Sequence, residues 1–184
     1  MVRDQTIKLL KLYNFRDYAD KPIPWTEGQL EIIDCILNRS SPDGIKRVQV
    51  IASTQYGKSM AVGAALVIRA SLKPEKWAIV AGTTEKARII MEYVTMFSLT
   101  CDLVRTQLEH TEPLDRLRMR RSKDILTYRV GGEVRVYSAD ATRVAETSKA
   151  LMGFGSPNVI EDESALISDT LQATVMRMLG GTQD

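Results

Sequence analysis

Two groups of residues in this 184-residue chain have the types and spacing needed for chemistry on a phosphate ester: Gly57-Lys58-Ser59 and, far downstream, Asp162-Glu163. A phosphate-binding loop has a glycine, four residues of any type, then Gly-Lys-Ser/Thr. Here the run Ala52-Ser53-Thr54-Gln55-Tyr56-Gly57-Lys58-Ser59 departs from that pattern only at its first position, Ala52. Successive backbone N–H groups and the N-terminus of the following helix form an anion cradle, the lysine reaches the outer phosphates, and the serine hydroxyl binds Mg²⁺. On this pattern Ser53, Thr54, Gln55, Tyr56, Gly57, Lys58 and Ser59 hold the nucleotide, ATP, and Ser59 also serves the metal. The second group ends the apolar stretch Asn158-Val159-Ile160-Glu161-Asp162-Glu163. Strand ends in a parallel sheet converge on the ligand crevice. Asp162 is therefore expected to hold Mg²⁺ opposite Ser59, and Glu163 to orient and deprotonate the attacking water. Strand alternation sends Glu161 to the other side. Either carboxylate alone would read equally well as a cap for a helix beginning near Ser164. Beside a Gly-Lys-Ser loop the two together point to ATP hydrolysis.

Such residues need a scaffold, and the neighbouring sequence predicts one. The run Val48-Gln49-Val50-Ile51 reads as a strand entering the loop, and Met60 to Ala70, apolar and free of proline, reads as the helix leaving it. Upstream, Lys21-Pro22-Ile23-Pro24-Trp25-Thr26 leads into the helical pattern Leu30, Ile32, Ile33, Ile36, Leu37, with Thr26 as a cap. Gln29 lies 29 residues before Lys58 and Trp25 four residues before Gln29. An amide can read the N6 and N7 edge of adenine and an aromatic ring can stack on it, so this pair is a candidate base clamp of the kind found in helicase-like ATPases. A solvent-facing glutamine and a tryptophan staple are the competing roles.

Further along, Trp77-Ala78-Ile79-Val80-Ala81 is a buried strand, Thr84 to Phe97 a helix, and Asp124 to Ser138 a hairpin around Gly131-Gly132. Ser168 to Leu179 reads as a last helix. Alternating strands and helices give an α/β fold of the P-loop NTPase type: a mainly parallel, doubly wound sheet flanked by helices, with an antiparallel hairpin added. One domain covers 1–184, with a helical arm and adenine-motif region over 1–46 and the core over 47–184. Arg105, Arg116, Arg118, Arg120, Arg121 and Lys123 fall within 19 residues and form the one local positive concentration, suited to a solvated loop or to DNA phosphates. With a net charge of +2, composition announces no nucleic-acid partner. Cys35 and Cys101 have no metal-ligand spacing, and His110, the one histidine, sits among polar loop residues. No apolar stretch approaches the roughly 20 residues of a membrane span, which predicts a soluble, unexported protein without membrane contact.

With these residues in view, the chain resembles the N-terminal ATPase region of phage large terminase subunits, the motors that package DNA into capsids. The resemblance is carried by Pro24-Trp25 and Gln29, the loop from Ser53 to Ser59, Ile79 to Ala87, the Gly131-Gly132 hairpin, and Leu151-Met152-Gly153 leading to Val159-Ile160-Glu161-Asp162-Glu163-Ser164-Ala165. It implies Mg-ATP hydrolysis coupled to translocation of double-stranded DNA in the cytoplasm of an infected host cell. Its implied partners are a portal protein, a small terminase subunit and other copies in a ring. Lys58 and Ser59 take the phosphate and metal roles, Asp162 the metal and Glu163 the base. The family often keeps an arginine where this chain has Thr54 and Met152. Arg143, Lys149 or the basic segment then becomes the candidate for the missing cation, and an isolated monomer is expected to hydrolyse slowly. Only 21 residues follow Glu163, so the sequence predicts no nuclease domain within the chain. Two other readings are a superfamily 2 helicase-like ATPase domain and a nucleotide-binding fragment without turnover.

Overall fold

The computed structural model describes residues 3–38, 48–51, 53, 55–108, 124–139 and 144–180. The elements in chain order are α1 (Asp4–Tyr13), α2 (Glu27–Asn38), α3 (Lys58–Leu72), β1 (Lys76–Ala81), α4 (Thr84–Thr100), α5 (Asp102–Arg105), β2 (Ile125–Thr127), β3 (Glu133–Ser138), α6 (Val144–Phe154), β4 (Asn158–Asp162) and α7 (Asp169–Gly180). The strands form one mixed sheet in the order β2-β3-β1-β4, with β1 parallel to both β3 and β4 and β2 antiparallel at the edge. This is the α/β arrangement of strands, helices and added hairpin that the sequence predicts.

Central position explains the uniformly apolar β1: all its residues after Lys76 are buried, as a strand covered on both faces requires. Trp77, Ile79 and Ala81 pack in one core with α1 to α4, while Ala78 and Val80 pack in a second with Leu151 and Phe154 of α6 and Leu171 of α7. The link from β1 to β3 passes through α4 on the first face. The link from β3 to β4 passes through α6 on the second face and runs the opposite way across the sheet. Both crossovers therefore have the same hand.

The hairpin is fixed by contacts that the sequence hides. Gly131 has φ +93°, and a Cβ on Gly132 would fall on the Ala70 and Lys73 carbonyl oxygens, so the turn lies directly on the end of α3. Tyr128, fully buried, is held by Ser98: the Ser98 hydroxyl donates to the Val94 carbonyl at 2.7 Å, which leaves its oxygen to accept from Tyr128 at 2.8 Å. Ser98→Ala would strand that phenol without a partner. The expected loss is about 1–3 kcal/mol, read as a lower urea midpoint with an unchanged slope.

One predicted element is corrected. Residues 48–51 do not form a strand, and Val48, Val50 and Ile51 are exposed, Ile51 by 88%. The β-branched pattern describes a surface that fits a sheet, but a strand exists only where its backbone forms ladder hydrogen bonds with a neighbour. Among the described residues β4 pairs with β1 and with no second strand, and nothing pairs with 48–51.

Candidate functional site

Gly57 is the hinge of the site. It has φ +79° and ψ +24°, a left-handed conformation that lets the chain turn from the loop into α3 at Lys58. As N-cap it brings no side chain to α3, so the first N–H groups of a 15-residue helix are left to an outside acceptor. Lys58 folds back over the loop and donates from Nζ to the Ser53 carbonyl at 3.1 Å. Ser59 is half-buried in the first turn. Thr54 lies outside the described residues.

The loop is anchored from α2. Gln29 is 4% exposed; its Oε1 accepts from the Thr26 N–H at 3.0 Å, and its Nε2 donates to the Tyr56 carbonyl at 3.2 Å. A Cβ on Gly57 would fall on that Nε2, so a glycine is needed here for close approach as well as for φ. The structure thus brings Gln29 to the loop, as its sequence position suggests, but its amide is engaged with backbone and not turned outward to a base. Trp25 takes the packing role. Its half-buried ring lies against the core beside Phe15 and Phe97, with centroids 6.4 and 6.1 Å away, because the proline-punctuated entry delivers it to the face of α4. The aromatic side chain at the loop is Tyr56, which lies against Gly28. Beside it runs an open groove of about 500 Å³, lined by residues that include Gly28, Ile32, Cys35, Val50, Ser53 and Tyr56.

The acidic pair stands at the end of β4, where Asp162 is in register with Ala81 of the central strand. Ile160 belongs to the core on the α3 side and Val159 to the core on the α6 side. Alternation therefore puts Asp162 on the α3 side and Glu161 on the other, as the sequence predicts. Burial and then the charge of Glu163 push the Asp162 carboxyl above its ordinary value, while the Glu163 N–H, the Lys58 ammonium and the Lys86 ammonium pull it down. Both lysines are thus electrostatic neighbours of Asp162, and metal candidate and base candidate stand together at the end of β4. Glu163 follows in a left-handed conformation, φ +51°, and its carboxylate accepts from Lys86 Nζ.

Sequence reasoning passed over Lys86. The available signal was its place: Thr83 caps α4, accepting from the Lys86 N–H at 3.3 Å, and a lysine in the first turn of a helix that follows a parallel strand lies at the crevice. Arg143 and the segment 109–123, with His110 and most of the basic cluster, lie outside the described residues. Lys149 and Met152 are exposed on α6. Arg105 pairs with Asp102 at 2.8 Å. Among the described residues no group of three His, Cys, Asp or Glu could hold a metal by itself, and no helix is long and apolar enough to cross a membrane. No protein-family model, no curated protein and no solved structure matches the chain.

Proposed function

We propose that this chain is a Mg²⁺-dependent ATPase domain of the DNA-packaging motor kind. What supports it is an uncapped helix N-terminus, entered through a left-handed glycine and bearing Lys58 and Ser59, whose Lys58 ammonium pulls on the Asp162 carboxyl at the end of a parallel strand. The donor set fits Mg-ATP. Backbone N–H groups and Lys58 suit the phosphates, and the Ser59 hydroxyl and Asp162 carboxylate are hard oxygen ligands suited to Mg²⁺, which keeps most of its water. The raised pKa of Asp162 marks a carboxylate that gains from a cation. Bound Mg²⁺ would neutralise charge on the phosphates. Of the chain's own groups, Lys58 binds, Gln29 holds the loop in shape, and Glu163 takes the proton from water once its carboxylate is free. The groove under Tyr56 has room for the base. Coupling to double-stranded DNA, the portal, the small subunit and a ring of copies rests on the terminase resemblance.

A second reading, nucleotide binding without turnover, is favoured by the hold of Lys86 on Glu163. Binding and turnover, with and without DNA, separate the two. In calorimetry, Lys58→Ala is expected to weaken ATP binding at least about tenfold, roughly 1.4 kcal/mol, while the fold persists, because the side chain is at the surface of the loop. Unchanged affinity would remove the phosphate-site assignment.

A further inference from the structure

The Lys86–Glu163 ion pair has a structural cause but little structural value. β1 and β4 end side by side, so the residue after Asp162 faces the turn from β1 into α4. The left-handed conformation of Glu163 swings its carboxylate across that turn to the first residues of a 17-residue helix, where the helix dipole also favours an anion. Side-chain exposures of 37% for Lys86 and 47% for Glu163 mean that such a pair adds little stability and opens readily. An ammonium held against a carboxylate also stabilises its ionised form, so Glu163 is a weaker base for water while the pair persists.

The surroundings supply a reason for the pair. Lys86, in the first turn of α4, is held on Glu163, the residue after Asp162, and Lys58, in the first turn of α3, also bears on the Asp162 carboxyl, so the carboxylate end of β4 draws cations from two helices. Among the described residues the arginines seen in ion pairs are committed elsewhere: Arg16 to Asp20, Arg69 to Glu75, Arg88 to Asp124, Arg105 to Asp102 and Arg135 to Glu133. Lys86 is the cation that already touches the candidate base.

We propose that Lys86 is a phosphate-binding cation that Glu163 holds in reserve: a nucleoside triphosphate at the α3 N-terminus takes the ammonium from the carboxylate, and Glu163 is released for its work as base. This rests on the nucleotide-site reading above. The exchange replaces one charge-assisted hydrogen bond by another, so it has a small net cost and is driven by ligand occupancy. It needs the outermost phosphate and therefore concerns ATP and not ADP.

Binding is measured by calorimetry with Mg²⁺ and either β,γ-imido-ATP, which is not hydrolysed, or ADP. Lys86→Met is expected to weaken the triphosphate analogue about fivefold or more, with ADP within about twofold, and Lys86→Arg to restore most of the loss. The cap contact of Thr83 is to the Lys86 backbone, so these substitutions leave α4 intact. Glu163→Gln removes the competitor and is expected to tighten the analogue when Lys86 is present but not in the Lys86→Met background. In the protein without nucleotide, the hydrogen-bonded ¹⁵N ammonium signal of Lys86 should be lost in Glu163→Gln. Equal effects on analogue and ADP, absence of coupling between the two positions, or an ammonium signal indifferent to Glu163 would each overturn the exchange. Lys58→Ala keeps the two levels apart. If it binds as wild type, the nucleotide site itself is wrong; if it weakens while Lys86→Met does not, only the exchange is wrong.

Discussion

Glu163→Gln is expected to lower the rate of ATP hydrolysis about 10²-fold or more while nucleotide binding persists. The substitution keeps the size and a hydrogen-bonding oxygen but removes the group that takes the proton from water. The left-handed backbone at this position is unaffected by a change confined to the end of the side chain. Asp162→Asn should behave differently: it removes the charge that faces Mg²⁺, so it weakens the Mg²⁺-dependent part of ATP binding. Normal hydrolysis in Glu163→Gln would move the base elsewhere. Glu161 is a poor substitute, since it projects to the α6 side of β4, away from the loop. Single-turnover rates beside calorimetric affinities separate the two variants, because one loses the chemical step and the other the metal.

The second large effect is a dependence of specific activity on protein concentration. Charge must be neutralised as the terminal phosphate leaves, and an arginine supplied by a neighbouring subunit is worth about 10³ to 10⁵ in rate in phosphate-loop enzymes. Among the described residues the two cations near Asp162 are both lysines, and the arginines seen in ion pairs are held elsewhere. Hydrolysis by dilute protein should therefore be slow and rise more steeply than linearly with concentration. Loss of that rise in Arg143→Ala, with rescue on mixing with Glu163→Gln protein, would identify Arg143 as the donated group. Fast hydrolysis independent of concentration would instead mean that Lys86, in the same chain, suffices.

The sequence by itself determined the elements whose signals are local. The apolar run of β1, the helix α4 from Thr84, the two-glycine hairpin and the apolar helix after Gly57 each lie where periodicity and turn chemistry put them, to within a few residues. The place of Asp162 at the end of a short strand parallel to β1 was legible too, because an apolar run closed by carboxylates has the pattern of such a strand. Tertiary structure decided what depends on partners distant in the chain. Val48 to Ile51 has the composition of a strand but forms no ladder with the open edge of β4 or with any other described strand, and backbone hydrogen bonds, not side-chain type, make a strand. Trp25 could have faced a ligand or the core. Packing against Phe15 and Phe97 buries part of a large apolar ring, and that burial chose the core. Gln29 was drawn to the loop and then held by the Tyr56 carbonyl, since a buried amide must find acceptors. The meeting of Lys86 with Glu163 spans 77 positions and depends on a single left-handed residue at the end of β4; no spacing rule along the chain anticipates it, because the register of β1 with β4 creates it.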